Sequence, residues 1–202
     1  MRFIRLNTDK HDLNKVSELI YETELTIFKQ LLGKDEKEAT ENIRNLVKSG
    51  NNYFGHENIH VVCDDDGNML GILVSFSGRE TSSWNDLKAY FRILNFYNFL
   101  KCAVKGTLIN RSLTASLGKN DYYLSNIAVD PQYRGQGIGT YLLKNAVKTA
   151  EDKGCKRVLL DVTFKNKGAK RLYERFGFKV YSKNTPKLFK GHGTLSMEYL
   201  LH

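Results

Sequence analysis

Apolar positions in this chain change period repeatedly, and each change marks an element. Phe3-Ile4-Arg5-Leu6 is a short strand-like run. Leu13, Val16, Leu19 and Ile20 then recur three and four apart, the spacing of one helix face, with Thr8 or Asp9 placed to cap it. Ile27, Phe28, Leu31 and Leu32 carry the helical pattern on to Gly33. Asp35 with Glu38 resembles a capping box, and Ala39, Ile43, Leu46 and Val47 predict another helix that Gly50 closes. Ile59 to Cys63 and Met69 to Phe76 read as strands. Between them Asp64-Asp65-Asp66-Gly67-Asn68 is hairpin chemistry, because Asp-Gly tolerates the positive φ of a tight turn. That turn accounts for the acidic triplet without a metal.

A wide apolar surface follows. Leu87, Tyr90, Phe91, Leu94 and Tyr97 line one side of a helix predicted over Asp86 to Lys105 and ended by Gly106. Phe96, Phe99, Leu100 and Ala103 line another side, so this helix must be buried against something. A lid over a substrate pocket or packing within its own core fits ahead of a dimer contact, and a dimer contact ahead of an interfacial helix. Asp121 to Val129 is the next strand. Leu142, Leu143, Ala146, Val147 and Ala150 then mark a helix. Arg157 to Val162 is nearly all apolar, as in a strand covered on both faces. Asn166 to Phe176 reads as a helix, and Phe178 to Tyr181 and Thr194 to Leu200 as closing strands.

The chain has 202 residues and a formal net charge of +9. Its lysines are dispersed and no nucleic-acid motif accompanies them, so the charge alone does not point to nucleic acid. No apolar run is long enough to span a bilayer. Polar residues follow the first six, unlike a signal peptide, so a cytoplasmic protein is expected. Cys63, Cys102 and Cys155 have no metal or redox spacing and are expected as reduced thiols. The five histidines form no ligand pattern, and no metal is expected.

The candidate chemistry lies where the strand ending at Val129 gives way to a helix. Asp130-Pro131 stops the strand, and Arg134-Gly135-Gln136-Gly137-Ile138-Gly139 opens the helix. Glycines there let backbone N–H groups converge on one anion at the positive end of a helix dipole. That is a seat for a diphosphate, with Arg134 adding a fixed cation. A P-loop needs Lys and Ser/Thr after its last glycine, but Thr140 and Tyr141 follow Gly139. A dinucleotide fingerprint needs glycine where Thr140 stands, although Asp161 lies about the expected ~20 residues further on, so that reading stays open. A glycine-rich turn without a ligand is the plain alternative.

Arg134-x-x-Gly137-x-Gly139 resembles the R/Q-x-x-G-x-G/A signature of the GNAT family of N-acetyltransferases. A second match lies downstream: Asn166, Ala169, Tyr173 and then Gly177-Phe178 occur at similar spacing to that family's second motif. The resemblance covers Tyr122 to Tyr181 closely and the first third of the chain only in pattern. It implies an α+β fold, a mixed and mostly antiparallel sheet flanked by helices. Here a long helix is inserted between the third and fourth strands. The chain is then one acetyltransferase domain over 1–202, with 77–118 as a helical lid or interface element.

The resemblance also implies acetyl-CoA as cosubstrate. Its diphosphate would be held by Arg134, Gly135, Gln136, Gly137, Ile138, Gly139 and Thr140. Its pantetheine arm would lie in a gap between splayed strands, bonded to backbone groups of Ile127, Ala128 and Val129. Asn166 would bond the cofactor, Ala169 would leave room for it, and Tyr173 would face the sulfur as the catalytic residue. Read without the motif, Tyr173 is a core aromatic, because Ala169, Leu172 and Phe176 share its helical stripe. A tyrosine of pKa ~10 protonating a thiolate of pKa ~8.5 is uphill by about 2 kcal/mol, so hydrogen bonding to the leaving sulfur fits better than full transfer. No base is identifiable: Asp121 is the sole carboxylate of its strand, and water held by Ser125 or Asn126 is the alternative.

The expected activity is direct transfer of acetyl to a primary amine, foremost of a small molecule. A protein or peptide acceptor and a non-catalytic acyl-CoA-binding module are the alternatives. A homodimer is a further possibility.

Overall fold

The computed structural model describes residues 1–103, 117–185 and 193–201. Seven strands form one sheet in the order β1-β2-β3-β4-β5-β7-β6. They are β1 (Arg2–Arg5), β2 (Ile59–Cys63), β3 (Met69–Ser77), β4 (Asp121–Val129), β5 (Arg157–Thr163), β6 (Lys179–Asn184) and β7 (Thr194–Leu200). All neighbours are antiparallel except β4 and β5. A mostly antiparallel sheet is not the doubly wound parallel frame of a dinucleotide site, which removes that alternative.

Alternation along β3 divides the core. Ile72 and Val74 face a cluster with the helices α1 (Leu13–Thr23), α2 (Leu25–Leu32) and α3 (Glu36–Ser49), centred on Val16, Ile20, Ile43 and Leu46. Leu73 faces the opposite layer, where α6 (Ile138–Asp152) and α7 (Lys167–Phe176) bury Leu142, Leu143 and Tyr173 with Leu160 and Met197. The β2–β3 hairpin forms at the predicted turn, with Gly67 at φ +89° and the Asp64 Oδ1 accepting the Asn68 N–H at 2.8 Å.

Asp12, not Thr8 or Asp9, caps α1. Its Oδ1 accepts the Asn14 and Lys15 N–H groups at 2.8 and 3.3 Å, while the Asp9 N–H is taken up by Asn7 Oδ1 in the preceding turn. Asp35 caps α3 as expected, and Glu38 Oε2 accepts the Lys34 N–H.

The long inserted helix expected over 86–105 is two helices, α4 (Ser83–Ile93) and α5 (Phe96–Lys101). Leu94 is extended at ψ 144° and buries its side chain in the first core, and Asn95 starts a new helix by accepting the Asn98 N–H at 2.8 Å. The break lets one apolar stripe turn onto α3 and the next onto α2. The expected stop at Gly106 lies outside the described residues.

Candidate active site

The parallel pairing of β4 with β5 runs from Asp121↔Arg157 to Leu124↔Leu160 and stops there. β5 continues to Thr163 against β7, while β4 continues to Val129 against β3. The two central strands therefore part, and among the described residues the edge of β4 from Ser125 to Val129 has no strand partner on that side. The split starts at a bulge. Ser75 pairs with Leu124 and Val74 with Asn126, which leaves Ser125 as an extra residue on β4. With one residue added, Ser125 and Asn126 both serve the same opening.

At the far end of that edge the chain turns into α6 through the glycine stretch. Gly135 and Gly137 have φ of +81° and +80°, a region unfavourable for side-chain-bearing residues, and a Cβ at either would meet nothing within 4 Å. Gly137 caps α6 with no side chain over the first amides. The loop thus presents bare backbone and open space at a helix N-terminus. Gly139 differs: a Cβ there would come within 2.9 Å of Leu172 Cδ2, so its role is the close approach of α7 to α6. Arg134 lies across the strand end. Its Nε donates to Val129 O at 3.0 Å and its Nη2 pairs with Glu22 at 3.2 Å, with the side chain 59% exposed.

At the near end of the split lies a cavity of about 340 Å³. Tyr123, Ser125 and Asn126 of β4 and Asp161 and Thr163 of β5 form one side; Glu22 to Phe28, at the junction of α1 and α2, form the other. A chain of polar contacts ties the two sides. The Tyr53 and Ser125 hydroxyls are 2.8 Å apart, Ser125 donates to Asn126 Oδ1 at 2.6 Å, and Asn126 Nδ2 donates to Thr23 Oγ1 at 2.7 Å. Tyr123 donates to Asp161 Oδ2 at 2.9 Å, and Ser196 donates to Asp161 Oδ1. Burial holds Tyr53 up at about 12 and Tyr123 well above the tyrosine range, so both hydroxyls stay protonated.

Glu24 sits between α1 and α2 and lines this cavity. Among the described residues its carboxylate has no hydrogen-bond or ion-pair partner, and burial pushes its pKa up to about 7. Asp121, the carboxylate singled out in the sequence, is at the opposite end of β4. Burial there is outweighed by the Arg157 guanidinium at 2.8 and 3.0 Å and the Gly118 N–H, so its pKa is lowered.

Asn166 caps α7 by accepting the Ala169 N–H at 3.0 Å, and Ala169 packs half-buried on the second core. Tyr173 is 8% exposed, with its ring 6.0 Å from Phe178. Its hydroxyl has no hydrogen-bond partner among the described residues, and burial pushes it up to about 12. Ile127 and Val129 are half-buried on the open edge, and Ala128 is buried on the other face against the first core. None of Tyr90, Phe91, Phe96, Tyr97 and Phe99 lines the cavity. The residues that sequence reasoning missed are Glu24 and Tyr53, together with the cavity-side place of Asp161.

The family model described as acetyltransferase (GNAT) matches residues 20–178. A thialysine N-epsilon-acetyltransferase of Bos taurus is 42% identical over 76 residues, which is 38% of this chain and 44% of that protein. N-alpha-acetyltransferase 30 of Xenopus laevis is 43% identical over 56 residues, 28% of this chain and 20% of that protein. The chain thus spans less than half the length of these curated relatives. The solved structure of an N-acetyltransferase from Staphylococcus aureus Mu50 superposes with a TM-score of 0.73 at 19% identity, covering 98% of this chain and all of that one, which is a likeness of fold.

Proposed function

The chain belongs to the acetyltransferase (GNAT) family, and from that premise we propose that it transfers acetyl from acetyl-CoA to a primary amine of a small molecule. One observation carries the reading: β4 and β5 separate between a bare glycine turn at one end and an unpaired, burial-shifted carboxyl at the other.

The residues present fit acetyl-CoA. The open space over Gly135 and Gly137 suits a diphosphate at the α6 N-terminus, and the unpartnered edge of β4 offers backbone donors and acceptors to an extended arm. Acetyl-CoA brings the activated acyl thioester. Glu24, at about 7, takes a proton from the acceptor amine near neutral pH, freeing the nitrogen lone pair to attack the thioester carbonyl. As the C–N bond forms the C–S bond breaks, the acylated nitrogen gives up its extra proton to solvent, and the sulfur leaves with its charge stabilised by a donor. Tyr173 is that donor. With its pKa at about 12 against ~8.5 for a thiol, full transfer is uphill by about 5 kcal/mol, so it hydrogen-bonds the sulfur and solvent supplies the proton.

A cavity of about 340 Å³ suits an amine the size of an amino-acid side chain, which agrees with the thialysine relative. The N-alpha relative supports a polypeptide N-terminus as the second reading, with the same amine chemistry. A panel of small amines, amino acids and short peptides with acetyl-CoA, following free thiol, separates the two. Gly137→Asp should abolish acetyl-CoA binding, because it puts a side chain and a negative charge into the diphosphate seat. Undiminished calorimetric affinity in that variant would sink the reading.

A further inference from the structure

Half of the exposed large apolar side chains among the described residues sit on α4 and α5. Trp84, Leu87, Phe91, Phe96, Tyr97 and Leu100 are 41% to 76% exposed. They belong to no cavity that holds the chemistry above. The rest of the two helices is anchored: Leu94 is buried, and Ala89, Tyr90, Ile93 and Phe99 pack on the first core. The patch is therefore the outer face of a fixed platform.

The exposed charges of α4 and α5 themselves are all cationic. Lys88 lies 5.2 Å from the Trp84 ring centre, Lys101 lies 4.3 Å from that of Tyr97, and Arg92 is exposed beside Phe91. The single acid of the two helices, Asp86, is turned inward and accepts the Tyr53 N–H. One carboxylate borders the patch: Glu38 of the adjoining α3 accepts the Asn95 and Asn98 side-chain amides, and Lys34 lines the same recess beside it. The chain as a whole carries a net charge of +9, the same sign.

We infer that α4 and α5 dock this protein on an anionic phospholipid surface, with the aromatic and leucine side chains at the acyl boundary and Lys88, Arg92 and Lys101 among the headgroup phosphates. Tryptophan and tyrosine with lysine and arginine are the residues that combine an apolar body with a polar tip at such an interface. Two helices this short lie on a surface rather than cross it, and among the described residues no helix is long and apolar enough to cross a membrane. A second copy of this chain fits less well, because a twofold face would set these cations against their own copies. Single-stranded nucleic acid needs a cationic groove that follows its backbone, whereas Lys88 and Lys101 are each held over a ring of their own helix.

Trp84 is the sole tryptophan of the chain, so the patch carries its own fluorophore. The full-length protein is titrated with vesicles of phosphatidylcholine alone and of phosphatidylcholine with an equal part of phosphatidylserine. Emission should shift to shorter wavelength with the anionic vesicles, weakly with the neutral ones, and return on adding salt. Phe96→Ser with Tyr97→Ser should remove the shift. Lys88→Glu with Arg92→Glu should lower partitioning roughly tenfold or more. All four positions are exposed and outside the cavity, so melting temperature and acetyl-transfer rate should not change. No shift with anionic vesicles overturns the inference. If the protein is instead a dimer that Phe96→Ser dissociates, the occupant is a second copy; if only a single-stranded oligonucleotide moves the Trp84 emission, it is nucleic acid.

Discussion

Asp121 and Asn126 stand five residues apart on β4, in two regions built on opposite terms. Around Asp121 the strand is zipped to β5, and the carboxylate receives two guanidinium N–H groups of Arg157 and the Gly118 N–H. Arg157 is shared with Glu198 at 3.0 Å, so both carboxylates at this end have the guanidinium as a partner. Around Asn126 the strands have parted, the contacts are neutral hydroxyls and an amide, and Glu24, a nearby carboxyl without a partner among the described residues, is pushed up to about 7. Pairing holds the sheet together at one end. At the other, withholding a partner leaves a group that changes protonation near neutral pH.

The largest expected effect tests the open end. Glu24→Gln keeps the shape and removes the base, so turnover should fall roughly 10²–10³-fold with acetyl-CoA affinity nearly unchanged. The rising limb of the pH–rate profile near 7 should vanish with it. A variant that retains both limb and rate would assign the proton to water.

Breaking the closed end should act on folding instead. Arg157→Ala leaves Asp121 buried with the Gly118 N–H but without its cation and should cost about 2 kcal/mol in denaturant unfolding. That is less than a fully buried pair because the guanidinium is a third exposed. Turnover of the folded fraction should be kept. A smaller effect belongs to Tyr173→Phe, which should slow acetyl transfer about tenfold without weakening acetyl-CoA binding, since the hydroxyl acts as charge grows on sulfur. An unchanged single-turnover rate would make Tyr173 a packing residue.

The finest test sets the two carboxyls against each other in stability. Glu24 has a raised folded pKa, so the stability it contributes is present below its unfolded value of ~4.3 and is lost as pH rises through about 7. Asp121 has a lowered one, so its contribution is present above ~3.9 and is lost as pH falls below that. Melting curves should show Glu24→Gln more stable than the parent at pH 8 and the difference gone near pH 4.

Much of this was legible in the residues. The Asp64–Asn68 hairpin, the glycine turn and the Asn166 cap are written in local chemistry, and they formed where turn and cap residues demand. The break at Leu94–Asn95 also had a signal: the apolar stripe changes side there, and asparagine is a strong N-cap. Glu24 had none. Glutamate is an ordinary helix residue, and its burial comes from strands a hundred residues away in sequence. The bulge at Ser125 was equally hidden, because it exists only in register with Ser75 and Val74.

The split in the sheet should also be visible to deuterium. Amides in the middle of a seven-stranded sheet ordinarily exchange only when the whole structure opens. Those of Ser125 to Val129 that point away from β3 have no such shelter and should exchange early, beside slow neighbours at Tyr122 to Leu124. An arm laid along that edge would complete the missing ladder, so added acetyl-CoA should turn this fast island slow and leave the rest of the sheet as it was.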